Sequence, residues 1–348
     1  MSPLWSTLAP HLAAGHPARL IWVADSSGPS PGTPGARMLV LPDGSTIGTI
    51  GGGAMEANVV ARATEAMRER TLDRPRAGAP EATRAGTREA PGAGARGAPQ
   101  WVRLQHRRGA EHPSGLICGG EQSHVEVDLG PADADWARRI VAAIEADAPH
   151  ELVVGDGVDL VPAPLAKDRA LRSFGESPVR YREQVVPAHR AVIYGGGHCG
   201  QALDHTLGRL GYHCTVVEKR DAIAEGAREG GAANVWTVAD YAEAADRIPH
   251  PEVTHAIVMT SDYPSDVRAL LGLLSKDRNL PFIGVMGSRA KLVQIRAALT
   301  EAGIPAERCA GWYAPIGLEM VSNTPEEIAI SVAGQLLRER PALFPAWR

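Results

Sequence analysis

Cysteine is scarce in this chain: four in 348 residues, Cys118, Cys199, Cys214 and Cys309. They lie far apart and form no CxxC pair, which excludes a zinc ribbon and a thioredoxin-type redox centre. So few scattered thiols suit a reducing compartment better than a disulfide framework. A basic excess is also missing. Lys and Arg number 36 against 40 Asp and Glu, for a net charge of -4, so nothing points to nucleic acid or an anionic membrane as a partner. No apolar run reaches the ~18–20 residues of a membrane span. The stretch "MSPLWSTLAPHLAAGHPARL" lacks a basic start and carries Pro and His within its apolar part, which argues against a secretory leader. These absences predict a cytoplasmic protein. Residues 73–100 hold no Val, Ile, Leu, Met or aromatic side chain. Such a segment has nothing to bury against its ordering entropy, and is expected to be a disordered surface insertion.

What is present is ordinary for a globular protein, 44% hydrophobic and 22% charged, and the length suits two domains of ~150 residues. Leu20–Asp25 reads as a strand. Arg37–Leu41 and Ser45–Ile50, joined by a Pro-Asp-Gly turn, read as a hairpin. Gly51, Gly52 and Gly53 then open a helix whose Met55, Val59, Ala63 and Met67 recur on one face. Trp101–Gln105 and His124–Leu129 alternate as half-buried strands, and Asp133–Asp147 reads as a helix. Residues 149–189 show little pattern and read as a linker. From Arg190 onward, strands at Ala191–Tyr194, His213–Glu218, His255–Thr260 and Pro281–Gly287 alternate with amphipathic helices. That alternation predicts βαβ units around a parallel sheet. Thr324-Pro325-Glu326-Glu327 is a capping box for a last helix. The expected fold is α/β. An α+β domain over 1–148 and a linker over 149–189 precede a Rossmann-like parallel-sheet domain over 190–348.

Four stretches carry candidate chemistry. Gly195-x-Gly197-x-x-Gly200 follows a strand and opens a helix, and Glu218 ends the next strand, where an acid can bind a ribose hydroxyl. This predicts a nucleotide or another phosphate-bearing ligand; a Rossmann fold without its ligand is the plainer reading. Gly287-Ser288-Arg289 is a second strand-to-helix turn, suited to an anion or simply a capped helix with solvated basic residues. Gly51, Gly52 and Gly53, with Glu56 in the following turn, either cradle an anion or polar heterocycle through backbone N–H groups or pack a helix closely on a sheet. Cys118, followed by Gly119, Gly120 and Glu121, is either a small buried hydrophobe or a sulfur held near a ligand. His112 and His124, six residues to either side of it, fit no common zinc spacing. Cys199 reads as a small residue at a tight helix start.

Together these motifs resemble the XdhC/CoxI family, accessory proteins of xanthine dehydrogenase and related molybdenum hydroxylases. The resemblance covers most of the chain, through "PGARMLV", "GTIGGGAMEANVV", "GLICGGEQ", "VIYGGGHCGQAL", "VVEKR", "FIGVMGSRAKL" and "APIGLEMVSNTPEEIAISV". It implies a non-catalytic maturation factor that binds molybdenum cofactor, either molybdopterin or a dinucleotide form. Such a factor protects the cofactor, promotes exchange of an oxo for a sulfido ligand and hands it to the apo-hydroxylase. A cysteine desulfurase as second partner and a homodimer are implied as well. In that reading Cys118 is the soft sulfur beside molybdenum. Arg37, Gly51, Gly52, Gly53, Glu56, Gly119, Gly120 and Glu121 surround the pterin, and Gly195, Gly197, Gly200, Glu218, Asp262, Ser288 and Arg289 hold the phosphate or nucleotide. The sequence departs from the family pattern at Gly32, Glu218 and Ser261, where members often carry Arg, Asp and His. Two other functions compete. One is an NAD(P)-dependent oxidoreductase, for which no Tyr or Lys general acid stands out. The other is a dinucleotide-sensing regulator that binds NAD(P) without turning it over.

Overall fold

The computed structural model describes residues 3–72, 98–107, 109, 111, 114–116, 119–185 and 189–347. Most of the expected insertion, 73–97, lies outside the described residues, and so do Cys118 and His112. The chain divides into two compact units, Met1–Pro164 with Arg172–Val186, and Leu165–Leu171 with Pro187–Arg348.

The first unit opens with a helix that the sequence pattern did not reveal, α1 (Pro3–Ala13), which buries Leu4, Trp5, Leu8 and Leu12 and carries Pro10 in its interior. Then come β1 (Ala18–Ser27), β2 (Arg37–Val40), β3 (Thr46–Gly48), α2 (Gly53–Leu72), β4 (Gln100–Gln105), β5 (Glu121–Leu129) and α3 (Ala134–Glu145). The strands form a sheet in the order β3-β2-β1-β5-β4, antiparallel at every pairing. β1 is apolar on both sides because both are covered. Leu20, Trp22 and Ala24 share a core with Trp5 and Leu8 of α1 and Trp136 and Ile140 of α3. Ile21 and Val23 share another with Met55, Val59, Ala63 and Met67 of α2. The expected apolar stripe of α2 is therefore the stripe it buries.

Residues 149–189 are not a patternless linker. They hold β6 (His150–Val154), β7 (Val158–Pro162), β8 (Arg172–Gly175) and β9 (Arg180–Gln184), an antiparallel sheet in the order β7-β6-β9-β8. The strands escape a pattern reading because each is only four or five residues long and because charged residues occupy buried positions in them. Glu151 and Glu183 are 6% and 2% exposed. Glu183 is held by three donors: Trp22 Nε1 at 3.0 Å and Arg37 Nη1 at 2.8 Å to Oε1, and Tyr181 hydroxyl at 3.0 Å to Oε2. A buried charge is tolerated only when paired and hydrogen-bonded. Binary patterning misses such strands for that reason.

The second unit contains β10 (Arg190–Tyr194), α4 (His198–Arg209), β11 (His213–Glu218), α5 (Asp221–Glu229), β12 (Val235–Thr237), β13 (Thr254–Val258), α6 (Tyr263–Leu274), β14 (Phe282–Val285), α7 (Arg289–Glu301) and α8 (Pro325–Leu343). Its sheet runs β12-β11-β10-β13-β14, parallel throughout. This is a Rossmann arrangement, and the strand order reverses between β10 and β13. Leu203 and Leu207 of α4 pack with Val332 and Leu336 of α8 in one core. Leu270 and Leu273 of α6 pack with Leu292 and Ile295 of α7 in another. The capping box closes as the spacing predicts: Glu327 N–H donates to Thr324 Oγ1 at 3.2 Å, and Thr324 N–H to Glu327 Oε2 at 3.1 Å. Among the described residues no helix is long and apolar enough to cross a membrane.

Glu183→Ala strips Trp22, Arg37 and Tyr181 of a shared acceptor. The expected cost is ~3–5 kcal/mol, the range for breaking a buried ion pair, measured by urea denaturation followed by tryptophan fluorescence. A cost below ~1 kcal/mol would show that the network does not hold the first unit together.

Candidate functional site

In the first unit, three glycine-containing segments meet beside the start of α2. The chain after β1 lies so close to the entry of β5 that a Cβ on Gly120 would stand 2.2 Å from the Pro29 carbonyl oxygen. Gln122 Nε2 donates to the Ile50 carbonyl at 3.0 Å. His106 joins the same assembly: its backbone carbonyl accepts from Gly119 N–H at 2.8 Å and its N–H donates to the Gly120 carbonyl at 2.8 Å. Its ring nitrogens meet Ser114 Oγ at 2.7 Å and Ser30 Oγ at 3.1 Å. Burial, and then the nearby His124, lower its pKa. The structure thus brings Gly51–Gly53 and Gly119–Gly120 together.

Much of the donor capacity of that turn is already taken up within the chain. Glu56 Oε2 accepts from Thr49 Oγ1 at 2.6 Å, Ile50 N–H at 2.9 Å and Gly52 N–H at 3.0 Å, and Gly51 N–H donates to Thr49 Oγ1 at 3.1 Å. Burial pushes the Glu56 carboxyl up, but these hydrogen bonds outweigh it and hold the group below the usual carboxylate range. Glu56 therefore shapes the turn. Arg37 and Glu121 do not join it. Arg37 pairs with Trp22 across the strands, binds Glu183 and lies 5.5 Å from the Trp5 ring centroid, on the sheet face covered by α1 and α3. Alternation along β5 puts Glu121 on the face of Val125, which packs in that same core, and its Oε1 accepts from Gln105 Nε2 at 2.7 Å.

The α2 side of β5 carries a polar row that the sequence reading did not connect. Gln122, His124 and Glu126 are at most 2% exposed. Glu126 pairs with Arg19 and with Arg62 of α2. Gln122 Oε1 and both ring nitrogens of His124 have no hydrogen-bond partner among the described residues. The signal was the alternation Gln122, His124, Glu126 itself, with polar residues on a face that should have been apolar. No group of three or more metal-ligating side chains stands together among the described residues.

In the second unit, the candidates gather at the carboxyl edge of the parallel sheet. Gly200 is required by contact: a Cβ there would meet the Gly195 carbonyl oxygen at 1.8 Å. Gly197, the residue before α4, has nothing within 4 Å of its Cβ position, so the loop is open to a ligand where the N-terminus of α4 emerges. Ser288 caps α7, accepting from Lys291 N–H at 3.3 Å. Arg289 is exposed and makes no ion pair among the described residues. Asp262 caps α6: Oδ1 accepts from Ser265 N–H at 2.9 Å and Oδ2 from the Ser261 hydroxyl at 3.0 Å. Lys219 Nζ donates to Ser265 Oγ at 2.7 Å, linking the end of β11 to the first turn of α6, two strands away. Lys291 pairs with the fully buried Asp266, which also accepts from Thr260 N–H at 3.1 Å.

Glu218 is not a free acceptor. It is fully buried. Its Oε2 accepts from Gly196 N–H at 2.9 Å and Arg220 Nη2 at 2.8 Å. Its Oε1 accepts from Lys219 N–H at 2.9 Å, Arg220 N–H at 3.0 Å, Arg220 Nε at 2.9 Å and Tyr241 hydroxyl at 2.9 Å. Burial pushes the carboxyl up, but Arg220 and the other donors prevail and bring it down to about 2.

Comparison with known proteins agrees with this two-part layout. Residues 11–74 match the model described as "XdhC and CoxI family", and residues 191–336 match the one described as "XdhC Rossmann domain". The chain belongs to the XdhC/CoxI family. Over 97% of its length it shares its fold, with a TM-score of 0.68 at 19% identity, with a Bacillus halodurans protein described as a xanthine dehydrogenase, 95% of which is covered. Among curated proteins it is 23% identical to an uncharacterized Escherichia coli protein, YqeB, over 92% of this chain and 43% of that one. It is 24% identical to a Bacillus subtilis protein described as a probable xanthine dehydrogenase subunit, over 49% of this chain and 48% of that one. The matched region covers less than half the length of either curated relative.

The Glu218 carboxyl sets a pH test. Its pKa is lowered on folding, so its contribution is fully present above the ordinary carboxylate range and is lost as pH falls toward about 2. Glu218→Gln should destabilise the protein at neutral pH by on the order of 3 kcal/mol, with the gap to wild type closing between about pH 5 and pH 2. Urea melts across that range check it; a gap independent of pH would mean that the charge contributes nothing.

Proposed function

We propose that this XdhC/CoxI-family chain is a maturation factor for a molybdenum hydroxylase of the xanthine dehydrogenase type. It binds molybdenum cofactor in the cytoplasm, shields it, supports its sulfuration and delivers it to the apo-enzyme. The observation that carries this reading is that the family matches fall in both units, one in each. A cysteine desulfurase supplying the sulfur and a second copy of the chain are its proposed partners.

The cofactor is cargo, and the residues suit its parts. In the Rossmann unit, taken by itself, a phosphate suits the open loop at Gly197 and the exposed Arg289 at the start of α7, since helix N-termini and guanidinium groups favour phosphate oxygens. In the first unit, taken by itself, a pterin, edged with donors and acceptors, suits the polar surroundings of Gly51–Gly53 and Gly119–Gly120, where Gln122 Oε1 lacks a hydrogen-bond partner among the described residues. Molybdenum is soft enough for a thiolate, and we assign that contact to Cys118, the residue before Gly119 and Gly120. Glu56, Arg37 and Glu121 act through the chain they hold: Glu56 shapes the turn, and the other two order the sheet that carries it.

Cys118→Ala is expected to lower the molybdenum and pterin content of the purified protein and its activation of the apo-hydroxylase, with circular dichroism unchanged. Wild-type occupancy and activation would return Cys118 to a packing role. Arg289→Ala should weaken cofactor binding by ~1.5–3 kcal/mol, and Gly197→Leu should block approach to the loop. Unchanged affinity of both variants in isothermal titration would place the phosphate site elsewhere.

A further inference from the structure

A dinucleotide held across a Rossmann crevice rests its adenosine ribose on the acid that ends the second strand, which must keep lone pairs free for the ribose hydroxyls. A carboxylate offers about four lone-pair sites. The Glu218 carboxylate already faces six donor groups within 3.0 Å, four on Oε1 and two on Oε2. Three are backbone N–H groups, of the kind any such loop presents. The other three come from two side chains, the Arg220 guanidinium, which spans both oxygens, and the Tyr241 hydroxyl.

One of these side chains holds the acid from within the fold and the other from the solvent side. Tyr241 is 1% exposed and packs 6.2 Å, centroid to centroid, from Tyr194 at the end of β10. The Arg220 side chain is 40% exposed while the Glu218 side chain is fully buried, so Arg220 covers the acid from the solvent side. Opening the site means breaking a bidentate charge-assisted pair, among the stronger hydrogen-bonded contacts in proteins, and leaving a buried carboxylate with ribose hydroxyls as neutral substitutes. Lys219, the neighbouring cation, is turned to Ser265.

We infer that Arg220 and Tyr241 are specificity-determining residues that close the ribose subsite. The Rossmann unit then takes a phosphate end that carries no nucleoside in that subsite; it refuses NAD(H), and it refuses NADP(H) because the Arg220 guanidinium that could take a 2′-phosphate is held by Glu218. The inference rests on the phosphate reading proposed above and narrows the cargo toward the simple pterin phosphate.

The test is a fluorescence titration of the full-length protein with NADH and with NADPH. Wild type should show no saturable binding up to about 1 mM, while Arg220→Ala/Tyr241→Phe should gain at least about tenfold in NADH affinity. Circular dichroism controls for folding, and Tyr241→Phe alone, which keeps the ion pair, should gain less than the double variant. Micromolar binding of either dinucleotide by wild type overturns the inference, and so does a folded double variant that gains nothing. Molybdenum and pterin content play no part in this readout, so its failure is distinct from failure of the chaperone reading.

Discussion

The carboxylate of Glu218 is the point at which the Rossmann unit is tied together. One oxygen grips the glycine loop through Gly196 N–H, the other grips the chain leaving β11, and both are held by Arg220. Through Tyr241 the same group reaches the segment after β12. A buried charge is costly until all its lone pairs are answered. Answering them here fixes the relative positions of three chain segments at the edge of the sheet where ligands bind. An acid in this place is commonly read as a ligand contact; here its hydrogen bonds go to the protein itself.

The first unit uses the same device twice. Glu183 gathers Trp22, Arg37 and Tyr181 on one face of the sheet. Glu126 gathers Arg19 and Arg62 on the other. The first network ties the four-stranded sheet to the five-stranded one, and the second holds α2 over β5. Glu56 works at smaller scale, closing the glycine turn with which α2 begins. What is left unanswered among the described residues is therefore informative: Gln122 and His124 keep polar atoms without hydrogen-bond partners on the α2 side of β5.

Local signals were easy to read. The glycine loop at Gly195–Gly200, the stripe of Met55, Val59, Ala63 and Met67, and the capping box at Thr324 each lie within a dozen or so consecutive residues, where spacing alone carries the physics. The strands of 149–189 were not legible, since their alternation includes buried glutamates that look like surface residues until their partners are known. α1 was missed for a related reason: Pro10 breaks the helical reading, and only packing against Trp136 and Leu20 explains why the segment is helical.

By itself the sequence determined the family, the parallel-sheet unit and the identity of the glycine turns, because these depend on backbone freedom and on hydrophobic period, which are properties of neighbours in the chain. Only the tertiary structure decided what the charged side chains do. Arg37 and Glu121 lie on the sheet face away from the glycine turn, Glu56 is turned inward on it, and Glu218 is saturated by residues up to 23 positions away. A charged group commits to whichever opposite charge or donor the fold brings within about 3 Å, and that partner is chosen by packing between distant segments, which no local pattern encodes.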